Sequence, residues 1–324
     1  MILIGSRALE ARLGENILRR NTQNSDYDII CTPDEFNNVI LGELCETNTP
    51  HTYTENKNFP GKYGLEFGGL YFEVDATENP SNIELRKLVP DYALKTTVGP
   101  FTFSVPEVSI LYLTKRAHAN FNVFFEKTLL DLVRIQEYLL SLECDLEAIH
   151  TAPIFQRYYN ARHEEAKTRF GARQKRINLN VPNEKFFMKS AHCRQLDHDN
   201  LHELVAINGK PAYLECKRDM TLAKIEKDMF FELPDSKKIR LPIEESLVIG
   251  MEREYIAKLE SLDDVLEVNE QTIYRKGLIK LVRDLSKGWF QDYCLDNMHI
   301  LWKHQEPWHS KLHEQIATIK LQEF

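Results

Sequence analysis

The chain has 324 residues, 41 Lys and Arg against 49 Asp and Glu, a formal net charge of −8, and 43% hydrophobic and 28% charged residues. That length holds two ordinary domains or one large one, and the composition excludes a disordered chain, a collagen and a small disulfide scaffold. The acidic balance argues against a surface coated for non-specific nucleic-acid binding, while leaving room for a local basic groove. No apolar run reaches the roughly 20 residues that cross a bilayer, and Met1–Ile4 has no basic flank of a signal peptide, so a cytoplasmic protein without membrane contact is expected. Six cysteines, Cys31, Cys45, Cys144, Cys193, Cys216 and Cys294, form no CxxC pair and read as reduced structural thiols.

In chain order, short β-like runs stand at Met1–Ile4, Tyr27–Cys31, Leu70–Ala76 and Phe101–Val105, separated by Pro60-Gly61, Gly68-Gly69 and Gly99-Pro100. Between them Thr32 caps a predicted helix, Pro33 suits its first position, and Phe36, Val39 and Ile40 are spaced for one face. After Val105 the pattern turns helical. Helices are predicted from Pro106, over Val123–Leu142 and Ala148–Phe170, and later near Glu244–Leu259, Glu270–Leu285 and Ser310–Leu321, with a loop over Gly171–Asn183. The expected fold is therefore α+β: a mixed sheet with flanking helices over 1–145, then a mainly helical accessory domain over 146–324.

The candidate chemistry sits at the start. Gly5-Ser6-Arg7-Ala8 follows an apolar strand and allows a tight turn into a helix, with backbone N–H groups and a hydroxyl that can hold phosphate oxygens. Asp26 and Asp28, two apart on a strand, project to one face while Tyr27 and Ile29 turn inward. In Leu70–Asp75, Phe72 and Val74 share one face, and Glu73 and Asp75 the other. If the two strands pair, Asp26, Asp28 and Asp75 converge. Three such carboxylates repel unless divalent cations lie between them, and hard oxygen donors suit Mg²⁺, with Mn²⁺ an alternative. Glu73 reads either as a further ligand or as a solvated face residue.

The ordered set Gly5-Ser6, Asp26-Tyr27-Asp28 and Asp75 resembles the nucleotidyltransferase superfamily related to DNA polymerase beta, most closely its small stand-alone or antitoxin-type members, over residues 1–140. Val105-Pro106-Glu107 followed by Lys115 on the next helix is similar to members whose helical lysine reaches the triphosphate. The resemblance implies a nucleotidyltransferase-like sheet and Mg²⁺-dependent transfer of a nucleoside monophosphate from a nucleoside triphosphate (ATP or another NTP) to a hydroxyl, with release of pyrophosphate. It implies catalytic and metal-binding roles for Asp26, Asp28 and Asp75, and nucleotide contacts from Gly5, Ser6, Arg7, Ser25 and Lys115. The stretch from Arg7 to Asn24 is longer than in the minimal members.

Two later features are weighed beside this. His198 and His202 lie four apart, with Asp199 between them and His163 and His192 as further candidates, a spacing that offers a second metal site. The His198-Asp199 pair also resembles HD-type phosphohydrolases, which gives an alternative function; hydrogen-bonded structural histidines are the plainer account. Arg157, Arg162, Lys167, Arg169, Arg173, Lys175 and Arg176, interleaved with Tyr158, Tyr159 and Phe170, offer phosphate contact and base stacking to an RNA acceptor such as tRNA. A protein hydroxyl is the next acceptor. A nucleotide-sensing partner protein without turnover is the non-enzymatic alternative.

Overall fold

The computed structural model describes residues 1–14, 25–120, 125–176, 204–207, 210–213, 227–258, 270–285 and 288–304. The elements of the first part are β1 (Ile2–Ile4), α1 (Gly5–Leu13), β2 (Tyr27–Ile30), a π-helical stretch Glu35–Leu41 running into α2 (Gly42–Glu46), β3 (His51–Glu55), β4 (Lys62–Phe67), β5 (Leu70–Asp75), α3 (Pro80–Leu88), β6 (Leu94–Val98) and β7 (Phe101–Val105). Helices α4 (Val108–Ala119), α5 (Phe125–Ser141), α6 (Leu146–Thr151) and α7 (Pro153–Arg176) follow. The chain is thus mixed α/β. Its seven strands form one sheet in the order β3-β4-β5-β2-β1-β7-β6, with β1–β2, β3–β4, β4–β5 and β6–β7 antiparallel and β2–β5 and β1–β7 parallel.

The strands alternate as the period of two requires. Ile29, Leu65, Phe67, Phe72 and Val74 are buried on one face. There Tyr27 stacks on Phe72 at 4.9 Å between centroids, and Phe72 on Phe67 at 4.6 Å. The opposite face, over β5 and β4, exposes Tyr71, Glu73 and Glu66. The strands the sequence announced are present. The additional β3, β4 and β6 lack its signals: β3 and β6 are polar edge strands, and β4 is interrupted by Gly64.

The Thr32 cap is a reciprocal capping box. Glu35 N donates to Thr32 Oγ1 at 3.0 Å and Thr32 N to Glu35 Oε2 at 2.7 Å. Phe36 and Ile40 are buried, but Val39 is exposed, because the π-helical turn is wider than an α turn and brings residues four and eight apart, Phe36, Ile40 and Leu44, onto the inner face. Residues 171–176, expected in a loop, continue α7.

Two compact units are distinguished: residues 1–122 with 127–171, and residues 123–126 with 172–324. The first extends to Gly171, past the boundary expected near 145. In the second, β8 (Leu204–Ile207) and β9 (Lys210–Tyr213) form a hairpin that the helical reading did not anticipate. Helices α8 (Lys227–Glu232), α9 (Asp235–Lys258) and α10 (Glu270–Lys280) precede a π-helical stretch Leu281–Leu285, then α11 (Trp289–Asp296) and α12 (Met298–Leu301). Phe230 is the centre of an aromatic cluster with Trp289, Phe290 and Tyr293, and Trp302 is buried. Ser310–Leu321 and Trp308 lie outside the described residues. Among the described residues no helix is long and apolar enough to cross a membrane.

Helices α9 and α10 meet backbone to backbone. A Cβ at Gly277 would stand 1.7 Å from Ser246 O, and one at Gly250 would stand 2.1 Å from Ile273 O. Neither obstacle is a flexible side chain, so the helices themselves would have to separate. Gly277→Ala is therefore expected to destabilise the second unit by about 1–3 kcal/mol, outweighing the roughly 1 kcal/mol of helix propensity that alanine adds. Urea unfolding midpoints of the full chain test this; an unchanged or higher midpoint refutes the crossing.

Candidate functional site

The opening Gly-Ser turn is built as the sequence requires. Gly5 has φ +72°, the left-handed region, and a Cβ there would lie 1.9 Å from Asp28 Oδ2. Only glycine therefore both makes the turn and lets the Asp28 carboxylate approach the start of α1. That nine-residue helix has no side-chain N-cap, since Ile4 precedes it, and no acidic residue in its first turn. The positive dipole end of the helix favours a nearby anion, and the Asp28 carboxylate lies there. Ser6 is buried.

Asp26, Asp28 and Glu73 come together: one carboxylate oxygen from each lies within 4.8 Å of the others. Strand register explains this. β2 and β5 run parallel with Asp28 opposite Glu73 and Ile30 opposite Asp75. Glu73 is therefore the ligand-type residue beside the Asp pair. Three carboxylates this close repel one another, and hard oxygen donors are the ligand type that divalent cations take.

Asp75 does not join them. It shares the sheet face but sits two residues further along the strand, where Lys62 Nζ meets its Oδ2 at 2.6 Å, and Thr77 Oγ1 and Asn82 Nδ2 donate to Oδ1 at 2.6 and 3.0 Å. This corrects the expected trio, and Asp75 reads as a structural anchor. Lys62 also donates to Glu165 of α7 at 2.7 Å, and Glu165 accepts from Ser81 Oγ at 2.5 Å and pairs with buried Arg162 at 2.8 Å. Burial alone would raise the Glu165 pKa. The Arg162 and Lys62 charges, with hydrogen bonds from Lys62 and Ser81, outweigh burial and hold it far below the usual carboxylate range.

The remaining expected nucleotide contacts divide. Arg7 Nε donates to Ser25 O at 3.2 Å, its NH1 pairs with Glu10 at 3.1 Å, and its guanidinium lies 4.7 Å over the Tyr27 ring. Arg7 and Ser25 thus clamp the approach to β2 onto α1. Lys115 is paired with buried Asp131 at 2.8 Å, so a phosphate contact from this amine requires breaking that pair.

Sequence reasoning passed over Tyr71. It lies half-exposed on the carboxylate face. Burial and the charges of Glu73, Asp26 and Glu66 push its phenol pKa up, so it is neutral at physiological pH. Two residues before Glu73 on the same strand, it was visible only as one of many tyrosines.

The basic segment is corrected. Tyr158 and Tyr159 are buried, Tyr158 against Thr114 at 2.7 Å between hydroxyl oxygens, and Arg162 is buried in the Glu165 pair. These aromatics cannot stack on bases. Arg157 and Lys167 are exposed, and the side chains of residues 169–176 lie outside the described ones. His163 lies 3.8 Å from Glu164 and against the Tyr159 ring at 5.9 Å between centroids. His192, His198, Asp199 and His202 lie outside the described residues, as do Cys193 and Cys216. Cys31 and Cys294 are buried and not disulfide-bonded, and burial pushes the Cys31 thiol up to about 12.

Residues 110–318 match a family described as a domain of unknown function, DUF7275. Comparison with curated proteins and with solved structures gives no match. The carboxylate site lies before the matched residues.

Proposed function

We propose that this chain, which belongs to the DUF7275 family, is a metal-dependent nucleotidyltransferase acting at the N-terminal sheet. The observation that supports this reading is the convergence of Asp26, Asp28 and Glu73 beside the Gly5 turn. The arrangement keeps the order of the resemblance, a glycine-serine turn, an Asp-x-Asp strand and a third acid on a neighbouring strand, with Glu73 in the place given to Asp75.

Asp26, Asp28 and Glu73 hold Mg²⁺ in this reading. The ion supplies charge neutralisation for the triphosphate and lowers the pKa of the attacking hydroxyl. The backbone N–H groups at the start of α1, with Ser6, hold phosphate oxygens. Glu73, as the carboxylate farthest from α1 along the sheet, accepts the hydroxyl proton while pyrophosphate leaves on the α1 side. Positioning and fixed charge give most of the rate, without a covalent enzyme intermediate. The acceptor is a hydroxyl compound; the buried Tyr158, Tyr159 and Arg162 remove the main reason for favouring RNA.

The test is transfer of label. Each α-labelled nucleoside triphosphate is incubated with Mg²⁺, the protein and separate pools of total RNA, cell protein and small metabolites. We expect label in one pool, lost in Asp26→Asn and retained in Asp75→Asn wherever that variant folds. Label that survives Asp26→Asn, or transfer from no triphosphate into any pool, refutes the assignment.

A further inference from the structure

We propose that β3 is the edge through which two copies of this chain pair, antiparallel and centred on Tyr53. β3 ends the sheet, and among the described residues only β4 pairs with it. Thr52, Tyr53, Thr54 and Glu55 are exposed. The devices that keep sheet edges apart are missing from this strand. It holds no lysine or proline, and its pairing with β4 runs one to one from His51 to Glu55 without a bulge. The other edge, β6, carries Lys95.

The main-chain groups are in phase for such a pair. Asn56 N donates to Lys62 O just beyond the strand, so the register makes Thr54 and Thr52 the residues that bond to β4. His51, Tyr53 and Glu55 then turn their N–H and C=O groups outward. An antiparallel copy centred on Tyr53 sets these three against Glu55, Tyr53 and His51 of the second copy, so every outward residue meets one whose own groups point back.

The side chains read the same from either end. His51 and Glu55 bring a base to an acid at both ends, Thr52 meets Thr54, and Tyr53 meets its own equivalent. These are favourable cross-strand classes, and no like charges stand opposite. Both members of the outer pair are already held in place: His51 Nδ1 lies 2.8 Å from Thr49 O, and Glu55 Oε1 accepts from Gly61 N at 2.8 Å. Tyr53 is 51% exposed, with Phe36 and Tyr63 against its ring at 6.0 and 6.3 Å between centroids. A second Tyr53 extends that aromatic row across the axis. Because the two strands are identical, pairing consumes the edge of both copies and closes as a dimer.

The test is the mass of the full chain in sedimentation equilibrium, which is expected to rise from monomer to dimer with concentration. His51→Glu sets acid against acid at both ends and should raise the dissociation constant about tenfold. An equal mixture with Glu55→His, whose histidines meet those acids, should restore it to near the wild-type value. Disulfide trapping reads the register. Residue 52 faces residue 54 of the other copy at about 4.5 Å between Cα atoms, within the span of a disulfide. Thr52→Cys mixed with Thr54→Cys should therefore cross-link well above the wild type and above either variant alone. Both threonines are exposed, so this arm does not depend on how His51→Glu folds. A monomer at every concentration overturns the proposal and leaves the edge to a strand of another protein. A dimer whose strength ignores His51→Glu, or whose mixed cysteines cross-link no better than each alone, forms elsewhere and overturns it too.

Discussion

Asp28→Asn is expected to abolish the stabilisation that Mg²⁺ and a nucleoside triphosphate give the protein, while leaving the unliganded fold intact. A ligand that binds only the folded state stabilises it by about 2.7 kcal/mol at a hundredfold excess over its dissociation constant. At about 2–4 °C per kcal/mol for domains of 150–250 residues, thermal unfolding should shift by roughly 5–10 °C in the wild type. Asparagine keeps the shape that packs against Gly5, where the carboxylate lies closest to the backbone. It removes the anionic donor beside Gly5 and one of three neighbouring negative charges, and the unliganded variant should keep the wild-type fold. Loss of the shift with an unchanged unliganded midpoint is the predicted pair of results. An undiminished shift would place the ligand elsewhere and end the nucleotidyltransferase reading.

The site was legible in the sequence to the extent that it is local. Gly5-Ser6 and Asp26-x-Asp28 are fixed by turn chemistry and strand alternation, and the structure puts both where those rules require. The third acid was not legible, because its identity depends on the register between β2 and β5. These strands run parallel, and their connection contains α2 and two further strands. No turn sets that register. A two-residue offset keeps the same face while exchanging Asp75 for Glu73 as the partner of Asp28. The same limit hid the cross-strand approach of Tyr71 to Gly64, where the phenol oxygen lies 2.7 Å from the place of a Cβ. It also misled over the basic segment: helical α7 carries Arg157 outward but Tyr158, Tyr159 and Arg162 inward, and composition without a face assignment reads them as one patch.

Polar edge strands were missed for a related reason. β3 is exposed along most of its length and β6 along much of it, so neither carries the alternation of a half-buried strand. The capped start of the helix after Thr32 was legible, since the capping box is a three-residue spacing. Its π-helical continuation was not.

Glu165→Gln is expected to be among the most destabilising single changes in the first unit. Glu165 joins α7 to β4 through Lys62 and to α3 through Ser81, and neutralises Arg162, whose side chain is only 5% exposed. Breaking a buried pair from one side costs about 3–5 kcal/mol, because the remaining charge stays desolvated. The lower end applies here, since Lys62 keeps Asp75 as a partner. The pH dependence follows from a folded pKa depressed below the unfolded value near 4.3. The contribution is complete above that unfolded value and shrinks as pH falls from it toward the folded one. Urea unfolding should therefore show a gap of about 3 kcal/mol between wild type and Glu165→Gln at pH 7 that narrows progressively below about pH 4.5. A gap that is constant with pH would mean the loss is of shape and hydrogen bonding alone. The double change Glu165→Met with Arg162→Met removes both charges, so it should recover most of the lost stability if the unpaired guanidinium is the cause. No recovery would shift the cause to the contacts with Lys62 and Ser81, which neither methionine can replace.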